Sequence, residues 1–161
     1  MTESGTRLRA AAAWVQRQRW QRWLVRAPIG LFRARLGLIF SSRLLLLEHT
    51  GRTTGARRYA VLAVAGRPRP GTYLVASERG TRAQWYRNIR ANPSVRVWVG
   101  GRHRAAATAQ PLTAGEAKAV LDRHAQRHPR AWAKFSPVFE DIFGAPLTDM
   151  PIIALELTQH T

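Results

Sequence analysis

From Leu44 onward the chain is written in short segments of strand type punctuated by glycine and proline, a rhythm that few folds accommodate. The segments are residues 44–49, 58–65, 72–77, 95–99, 102–109 and 151–157, each rich in branched or aromatic side chains. In VRVWV, Val95, Val97 and Val99 face one way while Arg96 and Trp98 face the other, so one side of this strand is predicted to be wet or to bind something. The GRPRPG run at 66–71 and the Gly100-Gly101 pair mark hairpin turns between antiparallel neighbours. Six such strands with few helices between them predict an α+β chain built on a small antiparallel barrel.

Helical patterns interrupt the strands three times. Residues 83–91 end at Asn92-Pro93, because proline disfavours helical angles in the residue before it. Thr113 with Glu116 forms a capping box that opens a helix to about Gln126. A third helix spans 129–143, and a break is predicted at Pro137, which lacks the amide hydrogen its turn requires.

Ahead of the barrel, residues 1–43 read as a lead-in to a single domain over 44–161, and 161 residues suffice to bury one continuous core. Within the lead-in, residues 7–27 form an amphipathic helix whose Trp14, Trp20 and Trp23 are interleaved with arginines. That pattern fits a helix lying in a membrane interface and equally a helix docked on the domain. No apolar run approaches the ~18 residues of a spanning helix. The N-terminus lacks an apolar signal core, so the expected location is cytoplasmic, and peripheral at the inner face of the plasma membrane under the interfacial reading of the 7–27 helix.

Twenty-six basic residues against nine acidic ones give a net charge of +17, and only Lys118 and Lys134 are lysines. Arginine in place of lysine, with abundant alanine, is the bias a GC-rich coding sequence produces, so part of the excess carries no functional message. The remainder points to an anionic partner: nucleic acid, anionic lipid or an acidic cofactor.

Most self-contained chemistries are poorly supplied. The carboxylates are scattered, and the adjacent Glu140 and Asp141 diverge on a helix, which disfavours a paired-carboxylate hydrolase. His124 and His128 share a helix face, yet no third ligand clusters with them and cysteine is absent, so no metal is expected. No G-x-S-x-G elbow occurs. A bound cofactor is the remaining source of reactivity.

The stretch LLLLEHTGRTTGARR, 44–58, offers a place for one. Gly51 and Gly55 permit turn geometries closed to other residues, and Thr50, Arg52, Thr53, Thr54, Arg57 and Arg58 crowd anion-binding groups around them. Arginine presents a planar fork to phosphate or carboxylate, and turn amides would add fixed donors. A second segment, VASERGTRAQWYRNIRANP at 75–93, follows it. Turn, V-A-S strand and W-x-x-N-x-x-x-N-P helix, in that order, resemble the deazaflavin-dependent nitroreductase and quinone reductase family of split β-barrels, from about Leu44 to Asn92 and again over 150–157.

The resemblance implies coenzyme F420 as cofactor, a deazaflavin ring carrying a ribityl chain, a phosphate and a glutamate tail. It implies phosphate contacts from Arg52, Thr53, Thr54, Gly55 and Arg58, and contacts along the coenzyme from Val75, Ala76, Ser77, Arg79, Gln84, Trp85 and Asn88. Thr53 and Glu78 stand where the family carries lysines, with Arg79 placed to compensate. Trp132, Phe135 and Phe139 occupy the segment where relatives place substrate-lining tyrosines, and Tyr86 is a candidate proton donor. The implied activity is hydride transfer from reduced F420 to a quinone or nitroaromatic. Related split barrels use FMN or haem instead. An unrelated alternative is a basic barrel gripping single-stranded nucleic acid, with Trp98 and nearby arginines as a stacking surface.

Overall fold

The computed structural model describes residues 43–158. The expected helix over 7–27 therefore lies outside the described residues. Six strands form: β1 (Leu44–Thr50), β2 (Arg57–Arg69), β3 (Thr72–Ala76), β4 (Ser94–Val99), β5 (Arg102–Pro111) and β6 (Ile152–Leu157). Every neighbouring pair is antiparallel, and the sheet closes in the order β1-β2-β3-β6-β5-β4. Helix α1 (Gln84–Ala91) lies between β3 and β4, and helices α2 (Ala114–Arg127) and α3 (Pro129–Phe143) between β5 and β6.

Alternation places every second side chain inside the closed sheet. Leu45, Leu47, Leu62, Val64, Tyr73, Val75, Val95, Val97, Val99, Ile153 and Leu155 fill that interior, joined by Tyr86 and Ile89 from α1. On the outer face of β2, β3 and β6 a second core forms, where Ala65, Leu74, Ala76, Ile152 and Ala154 meet Ala117 and Leu121 of α2 and Phe139 of α3. Being covered on both faces, β3 is buried at every position and shows no wet side.

The capping box forms as expected: Thr113 Oγ1 accepts from the Glu116 amide at 3.3 Å, and Glu116 Oε2 accepts from the Thr113 amide at 2.8 Å. Three expectations are corrected. Helix α3 runs through Pro137 without a break, because Trp132 and Phe135 before it and Phe139 after it pack on the same core and hold both halves in line. β2 extends to Arg69 through most of the expected 66–71 turn, with register shifts around Gly66. There the ring of His124 stands 3.3 Å from where a Cβ would be, so any larger residue would require the His124 side chain to shift by a few tenths of an ångström. Finally, Trp98 does not lie on a wet face: it is 4% exposed, packed with Leu46 and between the rings of Tyr59 and His103. No stacking platform for bases exists at that position.

Candidate functional site

The segment from Gly51 to Ala56 folds back on itself. The Gly51 amide donates to the Ala56 carbonyl at 2.8 Å and the Gly55 amide to the Gly51 carbonyl at 2.8 Å, while the Ala56 amide reaches Thr54 Oγ1 at 3.3 Å. Gly55 sits at φ +67°, where a side chain would be strained. These three amides are consumed within the turn.

Arg52 leaves the turn toward α1. Its backbone amide donates to Asn88 Oδ1 at 3.2 Å, and its Nη1 donates to Asn88 Oδ1 at 3.0 Å and to Gln84 Oε1 at 2.9 Å. Gln84 and Asn88 are one helical turn apart, so both carbonyls face the same guanidinium. Asn88 is buried, and its Nδ2 contacts Nδ1 of the buried His49 at 3.2 Å. Burial, aided by the positive charge of Arg58, pushes His49 down to about 4. With Asn88 Oδ1 turned to Arg52, it is the Nδ2 side of the amide that faces His49, and a neutral His49 is able to accept there at Nδ1.

Beside this network opens a cavity of about 620 Å³. Four arginines line it: Arg52 and Arg58 from the turn and β2, and Arg79 and Arg82 from the loop before α1. Thr53, Thr54, Gln84, Trp85 and Asn88 complete the polar wall, and Ala60, Val61 and Leu62 of β2 supply an apolar one. The cavity's carboxylate is Glu78. Although the residue keeps solvent contact, partial desolvation pushes its carboxyl up, and the charge of neighbouring Arg79 opposes that shift.

Eight of the sequence-derived residues are thus brought to one cavity: Arg52, Thr53, Thr54, Arg58, Arg79, Gln84, Trp85 and Asn88. Others are placed elsewhere. Gly55 shapes the turn, and Val75 and Ala76 belong to the two cores. Ser77 is buried and ties the following loop, its hydroxyl donating to the Gly80 carbonyl at 2.7 Å. Tyr86 points into the barrel core, edge-on to Trp85, and is not among the cavity's lining residues. Trp132 and Phe135 line a separate groove of about 560 Å³ between α3 and β2, whose Val64 to Arg67 wall follows on from the Tyr59 to Leu62 wall of the cavity. Phe139 is fully packed in the outer core and lines neither space. His49, Tyr59 and Arg82 line the cavity without having been singled out from sequence.

A family model described as F420H(2)-dependent quinone reductase matches residues 17–137. Among solved structures, one described as a domain-swapped dimer is 22% identical, with 91% of this chain and 99% of that chain covered and a TM-score of 0.50. HutZ, a haem storage protein from Vibrio cholerae, is 14% identical, with 84% and 92% covered and a TM-score of 0.50. The F420-H2 dependent reductase FDR-A is 22% identical, with 72% and 96% covered and a TM-score of 0.47. No curated protein matches this sequence. At these identities the two likenesses with a TM-score of 0.50 speak to the fold, a split barrel, and to nothing finer.

Proposed function

This chain belongs to the F420H(2)-dependent quinone reductase family, and from that premise we propose that it transfers a hydride from reduced coenzyme F420 to a quinone, nitroaromatic or similar conjugated acceptor. It is a deazaflavin-dependent oxidoreductase with F420 as its cofactor. One observation carries the finer reading: four guanidiniums, two threonine hydroxyls and a half-buried tryptophan converge on a single cavity of a size ordinary for cofactor sites.

The donor set fits the coenzyme's chemistry, since a phosphodiester and carboxylates call for forked cationic donors and a planar ring calls for an aromatic wall. When bound, reduced F420 supplies the hydride from carbon 5 of its ring. The protein binds and orients. Arg52, Arg58, Arg79 and Arg82 hold the anionic portion, with Thr53 offering a hydroxyl where the family carries a lysine and Thr54 a second hydroxyl beside it. Trp85 backs the ring, and the β2 wall of Ala60 to Leu62 excludes water from the acceptor's approach. Trp132 and Phe135 of α3, in the groove that borders the next residues of β2, extend that apolar surface toward the acceptor. Glu78, whose carboxyl is pushed up within the cavity, is the group placed to return a proton to the reduced acceptor, in preference to the core-facing Tyr86.

The nucleic-acid reading loses its support with the burial of Trp98. Peripheral membrane contact rests on residues outside those described; among the described residues no helix is long and apolar enough to cross a membrane. The test is a fluorescence titration with F420 of the protein and of an Arg52→Ala/Arg58→Ala variant. A loss of about 2 to 4 kcal/mol in a folded variant is expected from removing two charge-assisted contacts. Unchanged affinity removes the assignment of the turn, and tighter binding of FMN than of F420 moves the protein to the flavin-using barrels.

A further inference from the structure

His49 lies at the edge of the anion cavity, and among the described residues its one side-chain hydrogen bond is to Asn88. The Asn88 side chain is a two-sided group: an amide oxygen on one side and an NH2 on the other, interchangeable in shape but opposite in polarity. Its oxygen faces two donors of Arg52, the backbone amide at 3.2 Å and Nη1 at 3.0 Å. Rotated by half a turn, the amide would present hydrogens to both. What selects the observed orientation from the other side is the acceptor at 3.2 Å, His49 Nδ1. His49 and Asn88 are 4% and 5% exposed, so water is not on hand to satisfy a misoriented amide.

We propose that His49 is a positioning residue: as an Nδ1 acceptor it fixes the orientation of the Asn88 amide, which in turn aims the Arg52 guanidinium into the cofactor cavity. Asn88 and Gln84 together occupy Nη1 of Arg52, leaving Nε and Nη2 to meet an anion as a fork. The fork is then pre-organised: its rotamer is set by the protein before ligand arrives, which lowers the ordering cost of binding. The inference rests on the cavity being the F420 site as far as affinity is concerned, but the relay itself exists in the free protein and can be read there.

Three measurements separate the outcomes. Long-range proton–nitrogen NMR on the free protein reads the His49 tautomer directly; protonated Nε2 with bare Nδ1 is expected, and a protonated Nδ1 overturns the proposal without any variant. Amide hydrogen exchange at Arg52 reads the next link. In His49→Phe, which keeps a ring but offers no acceptor, that amide should exchange at least about tenfold faster than in the parent, because its acceptor is no longer held. In His49→Gln, whose carbonyl can accept from Asn88, exchange should return to within about threefold of the parent. The F420 dissociation constant should follow the same order, weakened about tenfold in His49→Phe and restored in His49→Gln. Equal exchange and equal affinity in folded His49→Phe overturn the proposal. A parent protein that fails to bind F420 while the tautomer and exchange results hold refutes the proposed function and leaves the relay standing. A His49→Phe chain that does not fold leaves the tautomer and the His49→Gln comparison to decide.

Discussion

At the scale of single residues, two buried polar groups make the clearest demands on the surroundings. His49 stays neutral in the fold because burial holds it down to about 4, below its ordinary 6.5. The unfolded chain takes up this proton first as pH falls, so the contribution of His49 is complete above about 6.5 and is lost on the way to about 4. At 1.36 kcal/mol for each pH unit of separation, the loss is on the order of 3 kcal/mol. Urea midpoints measured from pH 7 to pH 4.5 should therefore fall more steeply for the parent than for His49→Gln, which has nothing to protonate. Parallel curves would contradict the assignment. Glu48 makes the opposite demand. Burial alone would raise its carboxyl, but the hydrogen bonds and charge of Arg104, with contacts at 3.0 and 3.3 Å, help hold it below the usual range. Arg104 reaches it from a bulge in β5, at φ +53°, a conformation costly for any residue with a Cβ. Both Arg104→Gly and Arg104→Ala forfeit the ion pair, but only glycine relieves the backbone. The glycine variant should be the more stable of the two by about 1 kcal/mol in denaturant unfolding. The buried histidine was legible in part: Leu45, Leu47 and His49 share a parity on β1, and the first two face the barrel interior. What one sequence lacked was its partner, because Asn88 is 39 residues away and only barrel closure brings the two together.

At the scale of elements, the strands were readable because hydrophobic period and turn residues agree, and the errors fall where tertiary packing overrides local chemistry. Pro137 is the clearest case. It removes an amide donor from the interior of α3, yet the helix persists because apolar side chains on both sides of it anchor in the outer core. The exposed Pro137→Ala variant should restore that hydrogen bond and stabilise the protein by about 1 to 3 kcal/mol, read as a raised urea midpoint. No gain, or a loss, would mean that the α3 backbone is adapted to the proline. The aromatic stripe of α3 likewise divides by burial. Phe139→Ala should cost about 3 to 5 kcal/mol of stability, as expected for a buried aromatic. The half-buried Phe135→Ala should leave more of the stability intact and alter the Michaelis constant for the acceptor without changing F420 affinity. Identical stability losses with unchanged kinetics would assign the whole stripe to packing. Trp98 went the other way, from an expected surface to a buried one. Alternation along β4 places it on the outer face, but whether an outer face is covered depends on elements remote in sequence.

For the whole molecule, the barrel's existence was written in six strand segments, but its closing order was not, since β3-β6 and β1-β4 pairings join segments that no local signal connects. The site shared that fate: the turn and α1 were each recognisable, and their meeting through Arg52 and Asn88 was not. Charge is the remaining property of the whole, and +17 acts in two ways that salt can separate. The diffuse field of exposed arginines attracts any polyanion and is screened as the Debye length contracts from about 30 Å at 0.01 M to about 8 Å at 0.15 M. Contacts inside the cavity are short, directed and partly desolvated, and are screened far less. Over that salt range the affinity for F420 should weaken only several-fold, whereas a single-stranded oligonucleotide, held by the diffuse field through counterion release, should weaken by more than about a hundredfold. The oligonucleotide should also fail to displace F420 at the higher salt. Were F420 binding to collapse in parallel with that of the oligonucleotide, the four cavity arginines would be acting as surface charge and not as a built site.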